Sequence, residues 1–215
     1  MNCPHCTAPL LAGQPACQAC GFSATAIRSY LGADWVRLER ITDNSQRLSL
    51  RDTRHLETVL DDFERHFPQC FMAAYIGALP ETLTLPDLGF WLINHGAFQT
   101  HQVSRRNDFG LVLIIDTLRQ EACMTLGYAL ENLISAQALT ALLKKLRRPL
   151  LKGAVAKAIE EAAHRVESVL KTAATREPRL AEQPPVIMGD AADLGLHSLR
   201  PRPPSRPLLY ADRPQ

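Results

Sequence analysis

The sequence predicts an α/β fold in which a mixed sheet lies between two layers of helices. Three observations predict it. Residues 111–115 (Leu-Val-Leu-Ile-Ile) are apolar at every position, which is typical of an interior strand covered by helices on both faces. A second strand-like run follows after a short turn. Helix-period patterns precede and follow this pair of strands, and elements in this order build a three-layer α/β/α sandwich.

The chain begins with two cysteine pairs that predict a zinc ribbon over residues 1–22. Cys3 and Cys6 form the first pair, Cys17 and Cys20 form the second, and ten residues separate the pairs. Each pair places two sulfurs on one tight turn, and the spacer lets the two turns meet around a structural zinc ion. The spacing resembles the short ribbons at the ends of many bacterial proteins. Two disulfides in a secreted protein are the alternative, which the absence of a secretory signal before Cys3 disfavours.

Residues 39–175 are predicted to form the sandwich, with residues 23–38 as a connector from the ribbon. The first helix of the sandwich begins at a capping box, in which Ser49 and Asp52 lie three residues apart. Apolar residues then recur at helical spacing until Pro68 ends the helix.

A buried strand and a second helix follow. Residues 71–79 are almost wholly apolar and end before Pro80, which predicts a strand. The second helix begins near Thr84, has Pro86 in its first turn, and ends near Gly96.

A hairpin and two helices complete the predicted sandwich. Residues 122–126 are expected to pair antiparallel with the 111–115 strand. Helical patterns continue to about residue 172, and Pro149 and Gly153 divide them into two helices. The inner stripe of the last helix consists of Ile159, Ala163, Val166 and Leu170.

The composition suits one globular domain with small appendages. The chain has 215 residues, of which 46% are hydrophobic and 21% charged, and its formal net charge is +2. No apolar run approaches the ~20 residues that a membrane helix needs. We therefore expect a soluble protein of the bacterial cytoplasm.

Residues 176–215 are predicted to be a disordered, proline-rich tail. Eight of the fifteen prolines of the chain lie between Pro178 and Pro214. This composition cannot bury a core, although a PxxP ligand for a partner domain is an alternative interpretation.

Several stretches of the sandwich carry one pattern, namely residues 41–44 (Ile-Thr-Asp-Asn), residues 107–110 (Asn-Asp-Phe-Gly) leading into the apolar strand, residues 125–131 (Thr-Leu-Gly-Tyr-Ala-Leu-Glu), and the 149–158 helix start. Together they resemble the TPM domain family, of the thylakoid lumen protein and nematode receptor-associated type. The likeness covers about residues 39–172. It implies a Rossmann-like α/β/α sandwich. Members of that family have been linked to acid phosphatase activity, calcium binding, photosystem repair and receptor assembly.

Two departures from the family pattern bear on a site. Phe109 stands where the family usually has a small polar residue. Ala136 stands where it usually has an aspartate, and the loss of a carboxylate weakens binding of a hard cation such as calcium.

Asp108 and Glu131 are the candidate ligands for a calcium or magnesium ion in the sandwich. Asp108 precedes the apolar strand, and Glu131 follows its antiparallel partner, so both are expected at one edge of the sheet. Asp116 ends the same strand about 20 Å away and cannot share their site. The alternative is a turn aspartate and a helix-starting glutamate without a metal.

These features lead to three functional hypotheses. The first is a binding or assembly module that contacts other proteins, catalyses nothing, and contains a structural zinc ribbon. The second is a weak divalent-metal-dependent phosphatase that uses Asp108 and Glu131. The third, an adaptor linked to nucleic acid, is disfavoured because residues 1–27 contain no Lys or Arg and a four-thiolate zinc site has a formal charge of −2. The basic residues of the stretch 144–152 are interpreted as a solvated helix end, with a phosphate-binding patch as the alternative.

Overall fold

The structure is a computed structural model that describes residues 3, 5–6, 8–10, 14–100 and 107–176. Within these residues the chain forms five α-helices and six β-strands. The helices are α1 (Ala24–Leu31), α2 (Leu50–His66), α3 (Leu85–His95), α4 (Ala136–Leu151) and α5 (Val155–Arg176). The strands are β1 (Val36–Glu39), β2 (Ile41–Asp43), β3 (Phe71–Gly77), β4 (Gly96–Gln99), β5 (Gly110–Asp116) and β6 (Glu121–Leu126).

The main sheet has four strands in the order β2-β3-β5-β6. β2, β3 and β5 are parallel, whereas β6 runs antiparallel to β5 with Leu111 opposite Leu126. The sheet is therefore open and mixed, and the predicted hairpin is confirmed. An α/β fold is confirmed with it.

Helices cover both faces of this sheet. Successive side chains of β5 point to opposite faces, and each set packs against a different group of helices. Leu111, Leu113 and Ile115 belong to a core with α2, α4 and α5. Val112 and Ile114 point the other way, into a smaller core with α3. Because every residue of β5 is buried, its apolar run has no polar face.

The helix ends lie where the sequence predicts them. The Ser49 hydroxyl accepts from the backbone N–H of Asp52 at 3.1 Å, and the Asp52 carboxylate accepts from that of Ser49 at 3.2 Å. Thr84 caps α3 in the same manner, by accepting from the N–H of Asp87 at 3.3 Å. Pro149 lies in the last turn of α4, and Gly153, with φ of 68°, separates α4 from α5.

A second, two-stranded parallel sheet was not predicted. It pairs β1 with β4, so the region expected to be a connector contains a strand as well as α1. The four residues of β1 are Val-Arg-Leu-Glu, three of them exposed, and this short charged run has no strong strand signal. β4 begins at Gly96, directly after the last residue of α3, so no turn separates the two elements.

A buried arginine ties β2 to α2. Arg40 is 7% exposed and forms ion pairs with three acidic residues of α2, namely Glu57, Asp61 and Glu64. Burial favours the neutral form of Arg40, but the hydrogen bond to Asp61 and the charges of Glu57 and Glu64 raise the pKa of Arg40 above its ordinary value. The sequence did not reveal this network, since its members are up to 24 residues apart.

Two further findings concern α3 and the helices as a set. His95 at the end of α3 is buried, and its ring stacks on Trp91 with centroids 5.6 Å apart. No helix among the described residues is long and apolar enough to cross a membrane. The predicted tail lies outside the described residues, except for Arg176 at the end of α5.

Candidate metal centre and adjoining groove

The four cysteines of the predicted ribbon meet in one cluster. The sulfur atoms of Cys3, Cys6, Cys17 and Cys20 all lie within 4.8 Å of one another. Cys3 and Cys20 approach to 3.5 Å, and Cys6 and Cys17 approach to 3.6 Å. Four sulfurs bound at ~2.3 Å to a tetrahedral ion would be roughly 3.8 Å apart, so the cluster has the size of such a site.

The same backbone arrangement holds both cysteine pairs. The N–H of Cys3 donates to the carbonyl of Ala8, and the N–H of Cys17 donates to the carbonyl of Phe22, each at 2.8 Å. In both cases the acceptor lies five residues further along. Gly21 adopts φ of 77° after the second pair, a conformation that glycine adopts without strain.

The electrostatics of the cluster favour a bound cation. Hydrogen bonds from the backbone of Cys20 and Ala19 lower the pKa of Cys17 to about 7. The Phe22 backbone favours the thiolate of Cys20, yet burial and the neighbouring thiols raise the pKa of Cys20 to about 12. A positive ion between the sulfurs would favour the thiolate of Cys20, which burial and the neighbouring thiols disfavour. Four close cysteines of this kind could hold a metal ion such as zinc.

The cysteine cluster is docked on α3. Phe22 packs edge to face on Phe90, with ring centroids 5.1 Å apart. His5 lies outside the four-sulfur set, and its Nε2 atom is 2.8 Å from Oδ1 of Asp87 in the first turn of α3. These contacts belong to one compact unit, so the ribbon and the sandwich form a common surface.

A cavity of about 240 Å³ opens where the ribbon meets the sandwich. Cys3 lines it on the ribbon side, and Phe90 and Ile93 of α3 line it next to the sheet. Asp108 and Glu131 line the same cavity. The antiparallel return of β6 along β5 thus brings the two residues of the predicted divalent site to the same cavity.

The predicted divalent site itself stays a prediction. Among the described residues, the four cysteines are the only group of three or more His, Cys, Asp or Glu side chains close enough to hold a metal ion. Ala136 lines the cavity as well, and its methyl group supplies no oxygen ligand. Asp116 lies at the other end of β5, fully buried, where it accepts from the N–H of Leu118 at 2.9 Å and pairs with Arg119 at 3.3 Å.

A second cavity, of about 590 Å³, continues along β6. It shares Pro86 and Cys123 with the first cavity, so the two meet near the middle of the strand. Lys144 and Arg147 of α4 line this end. We call the two cavities together the β6 groove. The sequence contained the residues of this groove but no signal that they come together.

Gly127 lines the first cavity and has no room for a side chain. A Cβ atom there would lie 2.2 Å from the carbonyl oxygen of Asn107 and 2.3 Å from that of Asp108. Gly127→Ala is therefore expected to lower the free energy of unfolding by about 1–3 kcal/mol, since backbone atoms must move. Urea denaturation measures this change.

Gly153→Ala is the matched control for this prediction. A Cβ atom at Gly153 meets nothing within 4 Å, so only the strain of its φ of 68° remains. That strain amounts to ~1 kcal/mol. A loss at Gly127 no larger than the loss at Gly153 would contradict the close approach.

Comparisons with known proteins show the fold and no activity. No family model matches the sequence, and no curated protein matches it. The NMR structure of the BA42 protein from the psychrophilic bacterium Bizionia argentinensis is similar, with a TM-score of 0.51 and 7% identity over 61% of this chain and 86% of that chain. This likeness supports the α/β fold alone.

Two other NMR structures resemble the chain more loosely. The N-terminal domain of the cg2496 protein from Corynebacterium glutamicum has a TM-score of 0.47 and 14% identity, covering 60% of this chain and 78% of that one. The N-terminal domain of a protein from P. gingivalis has a TM-score of 0.48 and 18% identity, covering 62% and 82%.

Proposed function

We propose that this protein is a TPM-like binding module that holds a partner protein and carries out no catalysis. Its sandwich is Rossmann-like, and its zinc ribbon has a structural role. The observation that carries the proposal is the cavity shared by the two parts, which Cys3, Asp108 and Glu131 all line. A ribbon that forms one wall of a cavity fixes the shape of the surface that a partner meets.

Zinc is the metal that we assign to the cluster. Four thiolates in a tetrahedral arrangement are typical of structural zinc sites, and soft sulfur ligands disfavour calcium or magnesium. A site with four protein ligands has no open position for water or substrate. The ribbon is for this reason assigned to folding and positioning, with no part in chemistry.

The cytoplasm is the compartment that fits these thiols. None of the six cysteines is in a disulfide, and a reducing compartment keeps the thiols of the cluster available to the metal.

A metal-dependent phosphatase is the second candidate, and one observation favours it. Asp108 and Glu131 line one cavity, so a calcium or magnesium ion there would have two carboxylate ligands. We rank it second because Ala136 supplies no third carboxylate. The adaptor for nucleic acid ranks last, since the ribbon lacks cationic side chains.

Site-specific photo-crosslinking in the native cells tests the proposed function. A photoreactive amino acid replaces Tyr128, which is 62% exposed at the cavity, or Leu50, which is 79% exposed at the start of α2. We expect discrete adducts with another protein at position 128 and none at position 50. Equal adduct patterns at both positions would contradict a binding surface at the cavity.

Turnover of an aryl phosphate separates the first candidate from the second. The purified full chain is expected to show no turnover above a protein-free blank, with or without magnesium or calcium. Metal-dependent turnover that Glu131→Ala abolishes would replace the binding module with the phosphatase.

A further inference from the structure

The outer edge of β6 presents unpaired backbone groups. β6 is the last strand of the main sheet and pairs only with β5. The N–H of Gly127 donates to the carbonyl of Gly110 at 2.7 Å, which sets the alternation of the antiparallel ladder. It follows that the N–H and C=O groups of Ala122, Met124 and Leu126 point away from β5. No other described strand pairs with them.

The β6 groove, with cavities of about 240 and 590 Å³, is lined by every residue of β6. α3 forms one wall with Phe90 and Ile93, and α4 forms the other with Leu139 and Leu143. The six residues of β6 extend over about 20 Å at ~3.3 Å per residue. A strand added here would direct alternate side chains towards two apolar walls while its backbone pairs with β6.

One end of the groove has more basic than acidic side chains. Lys144 and Arg147 are exposed and line it, and no acidic residue occurs in α4. Neither forms an ion pair with a described residue. Arg119 lies at the same end but is held by Asp116 and by the carbonyl of Pro80 at 3.1 Å. Glu121 is the one carboxylate that lines this cavity, so the end keeps a positive balance.

We propose that the β6 groove binds an extended, acidic segment of a partner protein, which adds as a strand beside β6 with its carboxylates next to Lys144 and Arg147. This inference deepens the proposed function and rests on it, since it names the kind of partner. The free backbone groups give affinity, the apolar walls select alternate side chains, and the two cations select an acidic end.

Other occupants fit the groove less well. A second copy of the chain that paired through its own β6 would bring its α3 and α4 against these two walls, so helices would oppose helices beside the strand. A lipid surface or a nucleic acid would use the cations but would leave the edge of β6 and the recessed apolar walls without a partner.

Selection from a phage-displayed library of random nine-residue peptides, with the zinc-loaded full chain as bait, tests the proposal. We expect enriched peptides with Asp or Glu at one end and apolar residues at alternate positions. Their affinities are then measured by fluorescence anisotropy with the synthetic, labelled peptides.

Two protein variants locate the binding. Ala122→Pro removes an N–H that points away from β5 and is expected to weaken binding about tenfold. The double variant Lys144→Glu, Arg147→Glu is expected to weaken it at least about tenfold. The matched control, Lys145→Glu with Arg148→Glu, makes the same charge change on α4 outside the groove and should stay within about twofold.

N-methylated peptides keep the test valid if Ala122→Pro disturbs the strand. Methylation of alternate residues in one register should abolish binding, whereas methylation in the other register should leave it unchanged, because only one set of N–H groups faces β6. Equal effects in the two registers would overturn strand addition.

Other results would also overturn the proposal. They are the absence of any enriched peptide, peptides that bind a folded Ala122→Pro variant as tightly as the parent, or a dimer of the chain that Ala122→Pro dissociates. Binding of phosphatidylserine vesicles or of a single-stranded oligonucleotide through Lys144 and Arg147, without any peptide, would overturn it too. Crosslinks at position 128 without selected peptides would remove this inference and leave the proposed function in place.

Discussion

Replacing Cys17 with serine is expected to release the metal and unfold the ribbon, while the sandwich stays folded. The ribbon has almost no core of its own, since the buried residues in its described part are Cys3, Cys17 and Phe22. We therefore expect metal binding to supply its folding free energy, which is on the order of 10 kcal/mol for structural zinc sites. Serine offers a hydroxyl in place of a thiolate, so the ion loses one of four ligands.

The sandwich should survive because its two cores lie elsewhere. The larger core joins α2, α4 and α5 to the sheet, and it contains no residue of the ribbon. The loss of Phe22 from Phe90 exposes apolar surface on α3, so we expect thermal unfolding to shift down by a few degrees, at ~2–4 °C per kcal/mol.

Metal analysis and thermal unfolding measure these two effects. Cys70→Ser is the control, because Cys70 is a buried thiol outside the cluster and its loss should leave the metal in place. Full metal content in Cys17→Ser would contradict the four-sulfur site, and global unfolding would contradict an independent sandwich core.

Replacing Arg40 with methionine is expected to lower the free energy of unfolding by about 3 kcal/mol. The substitution leaves the carboxylates of Glu57, Asp61 and Glu64 without their shared cation. Glu64 is 3% exposed and cannot regain water, whereas Glu57 and Asp61 are about one-third exposed and are partly screened. We therefore expect the lower end of the range for a broken buried ion pair.

Urea denaturation compares this variant with a matched control on α2, the helix that carries the partners of Arg40. Arg65 pairs with Asp62 at an exposed position, so Arg65→Met should lower stability by less than about 1 kcal/mol. Equal losses at the two positions would show that burial of the Arg40 network adds nothing to stability.

The sequence predicted the long elements of the fold because their signals are local. The capping box at Ser49 marks the start of α2, and Thr84 marks the start of α3. The apolar run of β5 and its turn to β6 are contained in fewer than twenty consecutive residues. β1 and β4 escaped prediction because each has four residues, and each pairs with a strand about 60 residues away.

In the candidate site, too, the features that depend on nearby residues could be predicted, and those that depend on distant residues could not. The four-sulfur cluster follows from cysteine spacing within eighteen residues, and the shared cavity of Asp108 and Glu131 follows from the hairpin. The docking of the ribbon on α3 could not be predicted, since His5 and Asp87 are 82 residues apart. The β6 groove likewise depends on how α3 and α4 pack beside one strand, which no local pattern encodes.

Native mass spectrometry of the chain, purified without added metal, tests the central claim most directly. We predict the mass of the reduced chain plus one zinc ion, with Cys3, Cys6, Cys17 and Cys20 protected from alkylation until a chelator is added. A metal-free mass with four reactive thiols, or a mass lowered by two disulfides, would contradict a zinc ribbon that forms the wall of the binding cavity.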